Sequence, residues 1–176
     1  QLISRCLTAL QNQDMKHGYI DEIIVVSSGS TDKTDEIVNN ISAKDPRVQL
    51  ITQPSRRGKA SAINEFLACA SGDIVIVESA DTVPEPYTIE NLIEKMANPK
   101  VGMVGSHPKP VNNRKSFIGY CVHRLWELHH VMAVDFPKCG EMVAFRNVVS
   151  NIPRYTAVDE AAIEAVLVEA GYELAY

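Results

Sequence analysis

Residues 71–86 read SGDIVIVESADTVPEP, and this segment sets the fold expected for the whole chain. A Ser-Gly turn leads into the β-branched run at 74–77, which is typical of a short strand that is buried on both faces. Prolines at positions 84 and 86 prevent the strand from continuing. Carboxylates at the C-terminal end of such a strand are a usual place for a ligand or a metal ion in an open α/β sheet. Acidic residues there are also common as solvated loop residues or helix caps, so the segment alone leaves both interpretations open.

The residues on either side of this segment alternate between strand-like and helix-like patterns. Short apolar runs indicate strands, and apolar residues spaced three or four apart indicate amphipathic helices. Predicted strands lie at 20–26, 48–52, 74–77 and 101–106, and predicted helices lie at about 1–13, after Asp32, from near Gly58 and at 86–97. This alternation predicts an α/β fold with a mainly parallel sheet flanked by helices on both faces.

The second half of the sequence, residues 107–176, has a different pattern that begins with a polar, proline-containing loop. The predicted elements that follow are a helix at 117–134, a short strand at 139–145, a helix at 158–170 capped by Gly171, and the start of a strand at 172–176.

The long helix of this half carries His123, Trp126, Glu127, His129 and His130, of which the histidines and the glutamate could bind a metal. It contains no H-E-x-x-H motif, so the pattern does not favour a metal site there. Trp126 is predicted instead to pack, together with Leu125 and Leu128.

Composition and charge narrow the class of protein. The 176 residues are 45% hydrophobic and 22% charged, which is ordinary for one globular domain. The formal net charge of −5 gives no support for binding a phosphate backbone, so no nucleic acid is expected as a partner. No apolar run approaches the roughly 20 residues of a membrane-spanning helix, so no membrane segment is expected in this chain. Four cysteines without a C-x-x-C pair indicate reduced thiols rather than a zinc site.

Short polar side chains follow the first predicted strand, in SSGSTD at 27–32. Such a loop can contact the polar edge of a base or a sugar, although the same residues are equally typical of a helix cap. The loop lacks G-x-G-x-x-G and G-K-[ST], and the acidic residues that follow would repel a pyrophosphate at the helix N-terminus. The pattern therefore argues against a dinucleotide-binding domain.

Two other charged groups are candidates for the same rim of the sheet. The basic run RRGK at 56–59 would face the rim that holds Ser28 and Asp81, where it suits an anion bound through a divalent ion, although solvated basic clusters are common. Asp159 and Glu160 begin a later helix. Two carboxylates in a first turn suit the helix dipole, and the functional alternative is a general base that deprotonates a hydroxyl.

Five segments, in order along the chain, resemble the motifs of the family 2 glycosyltransferases, whose catalytic domains have the GT-A fold. VVSSGSTDKT at 25–34 resembles the family's V-V-D-D-G-S-T-D-x-T, and RGKASAIN at 57–64 resembles N-x-G-K-x-x-A-x-N. Residues 71–84 resemble the segment G-D, strand, D-A-D-x-x-P. Residues 140–146, GEMVAFR, are similar to the segment ending A-F-R-R, and residues 158–172 are similar to T-E-D…A-G-Y. Five matches in the right order and spacing make the resemblance specific.

The resemblance implies a donor site at the ends of the first strands. Ser27 and Ser28 stand where the family's acidic pair contacts the nucleoside, and Arg57 and Lys59 would line the nucleotide site. Because both acidic residues are serine here, the implied contact is a hydrogen bond without charge.

The resemblance also implies a divalent cation, Mg or Mn. Asp81 stands at the second carboxylate of D-x-D and would be the metal ligand, whereas Ser79 replaces the first carboxylate and is assigned to substrate binding. One carboxylate fewer weakens a site for a hard cation. Strand alternation turns Glu78 away from the Ser79 side chain, and a buried Glu78 would need a partner such as lysine or arginine.

The catalytic residues implied by the resemblance lie at the start of the later helix. Glu160 falls on the position of the catalytic base, with Asp159 before it, although the family has aspartate at that position. The base would take a proton from an acceptor hydroxyl, which attacks the anomeric carbon with inversion.

For the chain as a whole, the resemblance implies that residues 1–106 are the nucleotide-sugar-binding half and residues 107–176 the acceptor-side half of one domain, whose first strand precedes Gln1. The implied partners are a nucleotide-diphospho-sugar donor and an acceptor that is a lipid phosphate, a polysaccharide or a protein. The implied location is cytoplasmic, or the cytoplasmic face of a membrane where a longer protein has a membrane segment.

Three functions remain open on the sequence. The first is an inverting glycosyltransferase. The second is a degenerate GT-A domain that binds a nucleotide sugar without catalysis, which the serines at 27, 28 and 79 favour. The third is a nucleotidyltransferase, which shares this sheet architecture and would release pyrophosphate from a nucleoside triphosphate.

Overall fold

The computed structural model describes residues 2–137 and 139–176, and these ranges contain six helices and six strands. The helices are Leu2–Gln11 (α1), Thr34–Ser42 (α2), Lys59–Cys69 (α3), Thr88–Met96 (α4), Phe117–Asp135 (α5) and Asp159–Glu169 (α6). The strands are Ile23–Ser28 (β1), Val48–Gln53 (β2), Ile74–Val77 (β3), Val101–Gly105 (β4), Val143–Arg146 (β5) and Glu173–Ala175 (β6). Gln1, at the start of the predicted first helix, and Lys138, in the predicted second half, lie outside the described residues.

The predicted elements are all present, and two strands differ from their predicted bounds by more than one residue at an end. β1 begins at Ile23 and continues through Ser28, because the two serines pair in register with the end of β2. They were predicted to lie in a loop, so that placement is wrong. β5 begins at Val143 and not at position 139, because Glu141 has a φ of 50°, which is incompatible with a strand.

The strands form two sheets. β1 and β2 are a parallel pair, and the other four strands have the order β3-β5-β4-β6. β6 is parallel to β4, whereas β5 is antiparallel to both of its neighbours. Because β5 alone runs the opposite way, β3, β4 and β6 all end at the same edge of the sheet.

Helices cover both faces of the four-stranded sheet, as predicted. On one face, α3 and α6 pack against the sheet, and Phe145, Ile163 and Leu167 are fully buried between them. On the other face, α4 contributes Leu92, which packs in a cluster with Ala144. Ala144 and Phe145 reach opposite faces because successive side chains alternate along a strand. A third cluster joins α1 and α2 to the two-stranded sheet.

A groove of about 1500 Å³ lies between the two sheets. Its walls include every residue of β1 and β3, together with apolar side chains of α1. Within the described residues, β1 pairs only with β2 and β3 pairs only with β5, so each strand has an open edge. Ser79 and Asp81, which follow β3, also line the groove, and both were singled out from the sequence.

α5 differs from the other helices because its apolar side chains point outwards. Leu125 and Leu128 are 64% and 59% exposed, so the prediction that they pack is wrong. Trp126 is half-buried and contacts the ring of His129. In the two described ranges, no helix combines the length and the apolar character needed to cross a membrane.

Candidate active site

Five of the eight residues predicted for the site line the groove between β1 and β3. They are Ser27, Ser28, Lys59, Ser79 and Asp81. The groove therefore has residues of two separate sheets in its walls, whereas the sequence predicted one rim of a single sheet.

The two serines at the end of β1 already have hydrogen-bond partners within the chain. Ser27 is only 4% exposed, and its hydroxyl donates to Ser30 Oγ at 2.9 Å. The Ser28 hydroxyl donates to Gln53 Oε1 at 2.7 Å and accepts from the backbone N–H of Arg57 at 3.0 Å. Burial disfavours direct contact between Ser27 and a nucleoside, whereas Ser28 holds the loop that carries the basic residues.

That loop passes very close to Gly29. Gly29 has a φ of +64°, and a Cβ at this position would lie 2.8 Å from the backbone nitrogen of Arg56. Only glycine fits both the left-handed backbone and this close approach. The Arg57 side chain is exposed and makes no ion pair with any described residue, which leaves its guanidinium accessible to an anion.

Lys59 joins the groove to the two predicted catalytic residues. Its Nζ lies 2.5 Å from Glu160 Oε1 and 3.7 Å from Asp159 Oδ2. Lys59 is the first residue of α3, and both carboxylates stand in the first turn of α6. The contact spans 101 residues of sequence, so no local pattern could have predicted it.

The pKa values of Lys59 and Asp159 are both raised in this arrangement. Burial lowers the pKa of Lys59, but the hydrogen bond and charge of Glu160, with Asp159 and Glu141, outweigh burial and raise it overall. Burial raises the pKa of Asp159, the charge of Lys59 opposes the rise, and Glu160 adds to it. The Asp159 and Glu160 side chains are each 13% exposed, so solvent can reach both carboxylates beside the Lys59 ammonium.

The end of β3 has the opposite character. Glu78 is half-buried, and its Oε1 accepts a hydrogen bond from Thr82 Oγ1. Its other oxygen, Oε2, is buried with no hydrogen-bond partner among the described residues. Burial raises the pKa of the Glu78 carboxyl to about 7; the Thr82 hydrogen bond opposes this rise, and the charges of Glu141 and Asp81 add to it. The lysine or arginine partner expected for a buried Glu78 is not found in the described part of the chain.

Asp81 and Ser79 lie in the turn that follows Glu78. The Ser79 carbonyl accepts from the backbone N–H of Thr82 at 3.1 Å and from its hydroxyl at 2.8 Å, which closes the turn. Asp81 is exposed. The turn therefore presents the Asp81 carboxylate to solvent beside the buried carboxylate of Glu78.

Glu141 is a further acidic residue that the sequence analysis did not single out. It contributes to the raised pKa values of both Lys59 and Glu78, so its charge reaches the ammonium of one group and the carboxylate of the other. Its backbone is in the left-handed region, at a φ of 50°, which is uncommon for a residue other than glycine. The available signal was its place after Gly140, in a segment that resembles a family motif.

The residues at the end of β3 suit a divalent cation. Within residues 2–137 and 139–176, no group of three or more His, Cys, Asp or Glu side chains is arranged so that it could hold a metal ion. However, Glu78 offers a buried carboxylate oxygen without a partner, and the exposed carboxylate of Asp81 is close enough to influence it. A buried, uncompensated carboxylate is unfavourable, and a hard cation with oxygen ligands would neutralise it.

Comparisons with known proteins identify the family of this chain. A family model described as Glycosyl transferase family 2 matches residues 1–137. The chain is 30% identical over 131 residues to the dolichyl-phosphate beta-glucosyltransferase ALG5C of Trichomonas vaginalis, which is 68% of this chain and 39% of that protein. It is 36% identical over 101 residues to the probable glycosyltransferase YdaM of Bacillus subtilis, which is 55% of this chain and 24% of that protein. The chain thus spans well under half the length of these relatives.

Solved structures show the same fold. The mannosyltransferase PcManGT of Pyrobaculum calidifontis, solved with GDP-Man and Mn²⁺, has a TM-score of 0.79 and 27% identity, over 99% of this chain and 50% of that one. A glucosyl-3-phosphoglycerate synthase of Mycobacterium tuberculosis, solved with UDP, has a TM-score of 0.62 over 99% of this chain and 64% of that one. At 20% identity, the second likeness supports the fold alone.

Proposed function

We propose a sugar-transfer function for this chain, which belongs to glycosyl transferase family 2. In this proposal, the chain transfers a sugar from a nucleotide-diphosphate donor to an acceptor hydroxyl, with inversion at the anomeric carbon. The observation that carries the proposal is the contact between Lys59 and Glu160, which joins a predicted nucleotide-binding residue to the predicted base at 2.5 Å.

Glu160 is the proposed general base. Its carboxylate accepts the proton of the acceptor hydroxyl while that oxygen forms a bond to the anomeric carbon and the bond from this carbon to the diphosphate oxygen breaks. Lys59 holds Glu160 in place through their contact at 2.5 Å. Asp159 is proposed to support this arrangement through its own contact with Lys59.

The donor is proposed to lie where β1 and β3 end. Arg57 and Lys59 provide positive charge for the diphosphate, and Ser28 holds the loop that carries Arg57. Glu78 and Asp81 would hold a divalent cation, Mg²⁺ or Mn²⁺, which when bound supplies charge to the departing nucleoside diphosphate. The division into a donor half at 1–106 and an acceptor half at 107–176, and the cytoplasmic location, stay predictions.

A thermal-shift measurement tests donor binding. GDP-mannose or UDP-glucose with Mn²⁺ should raise the melting temperature, because a ligand at about 100 times its Kd stabilises a protein by roughly 2.7 kcal/mol. Asp81→Ala should abolish the rise. Asp73→Ala is the matched control, because Asp73 is exposed and precedes the same strand. No shift with any nucleotide sugar, with or without metal, would argue against the proposal.

A transfer assay tests catalysis. Glu160→Gln should lower kcat by about 10²–10⁴-fold, since it removes the base but keeps the size of the side chain, and donor binding should persist. Glu169→Gln, on the exposed end of the same helix, should leave the rate unchanged.

A donor-binding domain without catalysis is the second candidate. The engaged Ser27 and Ser28 hydroxyls and the serine at position 79 favour it, because each replaces a carboxylate of the family pattern. Donor binding without measurable sugar transfer would support this candidate, and transfer that depends on Glu160 would eliminate it.

A further inference from the structure

Three of the chain's five histidines gather with a tyrosine just past the ends of β4 and β6. The rings of His107 and His130 are stacked, with centroids 3.9 Å apart and planes inclined by 8°. His130 Nδ1 lies 3.3 Å from the Tyr176 hydroxyl, and His129 meets the Tyr176 ring edge-on at 6.1 Å. We call His107, His129, His130 and Tyr176 the imidazole cluster.

The cluster has hydrogen-bonding capacity that the described residues do not use. His129 Nδ1 is buried and has no hydrogen-bond partner in the described ranges. A buried polar atom without a partner is unfavourable, and in native proteins it commonly marks a place where a water or a ligand binds. Each imidazole can donate from one ring nitrogen when neutral and from two when protonated.

The charged groups around the cluster favour an anion over a cation. Burial lowers the pKa of His107, and the neighbouring His130, Lys109 and His129 lower it further, while Glu85 opposes them. Stacked imidazoles repel each other when both are protonated, and the lysine adds to that repulsion. The described side chains also include no group of three that could hold a metal ion.

We infer that the imidazole cluster binds the phosphate group of a ligand, with the ring N–H groups as donors and Lys109 as a further cation. A phosphate has several acceptor oxygens, so it can accept hydrogen bonds from more than one ring N–H group at once. Lys109 is available for this because its contact with Glu85, at 3.0 Å, is between two exposed side chains.

The position of the cluster suggests which ligand carries the phosphate. β3, β4 and β6 end at the same sheet edge, and β4 lies two strands from β3 in the sheet order. At about 4.8 Å between strands, the cluster is roughly 10 Å along this edge from the end of β3. This step rests on the proposed function: the ligand would be an acceptor that carries a phosphate, bound beside the donor and not as part of it.

Calorimetry with inorganic phosphate, in the absence of metal and nucleotide, tests the binding site by itself. Binding should be measurable near pH 6, and the histidine ring signals in NMR spectra should move on addition of phosphate. His107→Asn and His130→Asn should each weaken binding about tenfold. His123→Asn is the matched control, because His123 lies on α5 but contacts Arg114 and Asn112 instead.

Two results would overturn the inference. One is the absence of any phosphate-dependent change in the histidine signals near pH 6, which needs no variant and so cannot be blamed on misfolding. The other is an equal loss of binding in His123→Asn and His130→Asn. Vesicles that contain phosphatidic acid, compared with neutral vesicles, distinguish a lipid headgroup from a free phosphate. Phosphate binding without sugar transfer would remove the proposed function and leave this site in place.

Discussion

Two pairs of carboxylates line the proposed site, and the chain treats them differently. The helix-start pair, Asp159 and Glu160, contacts the ammonium of Lys59 at 3.7 and 2.5 Å. The strand-end pair, Glu78 and Asp81, contacts no cation in the described part of the chain, and one Glu78 oxygen is buried without a partner. The fold thus supplies a cation to the first pair, whereas the second pair needs positive charge from a ligand.

This difference separates a base from a metal site. A carboxylate that is held by an ammonium keeps a fixed orientation, which a general base requires. A carboxylate that is buried beside another carboxylate, and has no cation of its own, favours protonation or a divalent ion. Two acidic pairs of similar composition can therefore be given different roles from their partners alone.

The strongest test of the comparison removes the cation of the helix-start pair. Lys59→Met should lower kcat/KM by about 100-fold, because Glu160 loses its only ion-pair partner among the described residues. Lys59 also opposes the rise in the pKa of Asp159, so the pKa of that carboxyl should rise further. The acidic limb of the pH–rate profile should therefore shift to higher pH.

Two controls show whether charge causes this effect. Lys59→Arg keeps a cation at the site and should recover most of the rate, with the acidic limb near its original position. Lys100→Met, at an exposed position away from the groove, should change neither quantity. An unchanged pH profile in Lys59→Met would show that the contact with Glu160 is not part of catalysis.

The difference between the two pairs also shows how much of the fold and of the candidate site can be predicted from the sequence. Sequence patterns predicted a segment for every strand and helix, and motif resemblance assigned Asp81, Glu160 and Lys59 to a site, which stays a prediction. The contact between Lys59 and Glu160 was out of reach because it depends on how α3 and α6 pack. The antiparallel direction of β5 was not predicted either, since a four-residue apolar run has no signal for orientation.

Other errors have local physical causes. Ser27 and Ser28 were assigned to a loop because serine is typical of turns, yet backbone pairing with β2 extends the strand through both. Outward-facing Leu125 and Leu128 were expected to pack, because periodicity shows that a helix has an apolar face but not where that face points.

Removal of the buried charge of the strand-end pair should increase stability. The folded-state pKa of Glu78, about 7, is above the usual value of 4.5, so the folded state binds more protons than the unfolded state between these values. Stability therefore falls as the pH rises through this window. Glu78→Gln should abolish that fall and raise the free energy of unfolding near pH 8 by on the order of 2 kcal/mol.

Urea denaturation near pH 5 and pH 8, with a chelator present, measures this effect. Glu94→Gln is the control for loss of an exposed glutamate, and it should not change the difference between the two pH values. Mn²⁺ near pH 8 should stabilise the original chain and not Glu78→Gln. Equal pH dependence in both proteins would show that Glu78 is already compensated.

The smallest expected effect concerns Glu141, whose charge raises the pKa values of both Lys59 and Glu78. Its left-handed backbone is strained for a residue with a Cβ, so Glu141→Gly should stabilise the chain by about 1 kcal/mol. Glu141→Gln keeps the strain and removes only the charge. Because Glu141 raises the pKa of Glu78, both variants should lower the midpoint at which stability falls with pH. If only the glycine variant moves this midpoint, Glu141 acts on Glu78 through the backbone, and the strand-end pair is set by the shape of its turn and not by charge.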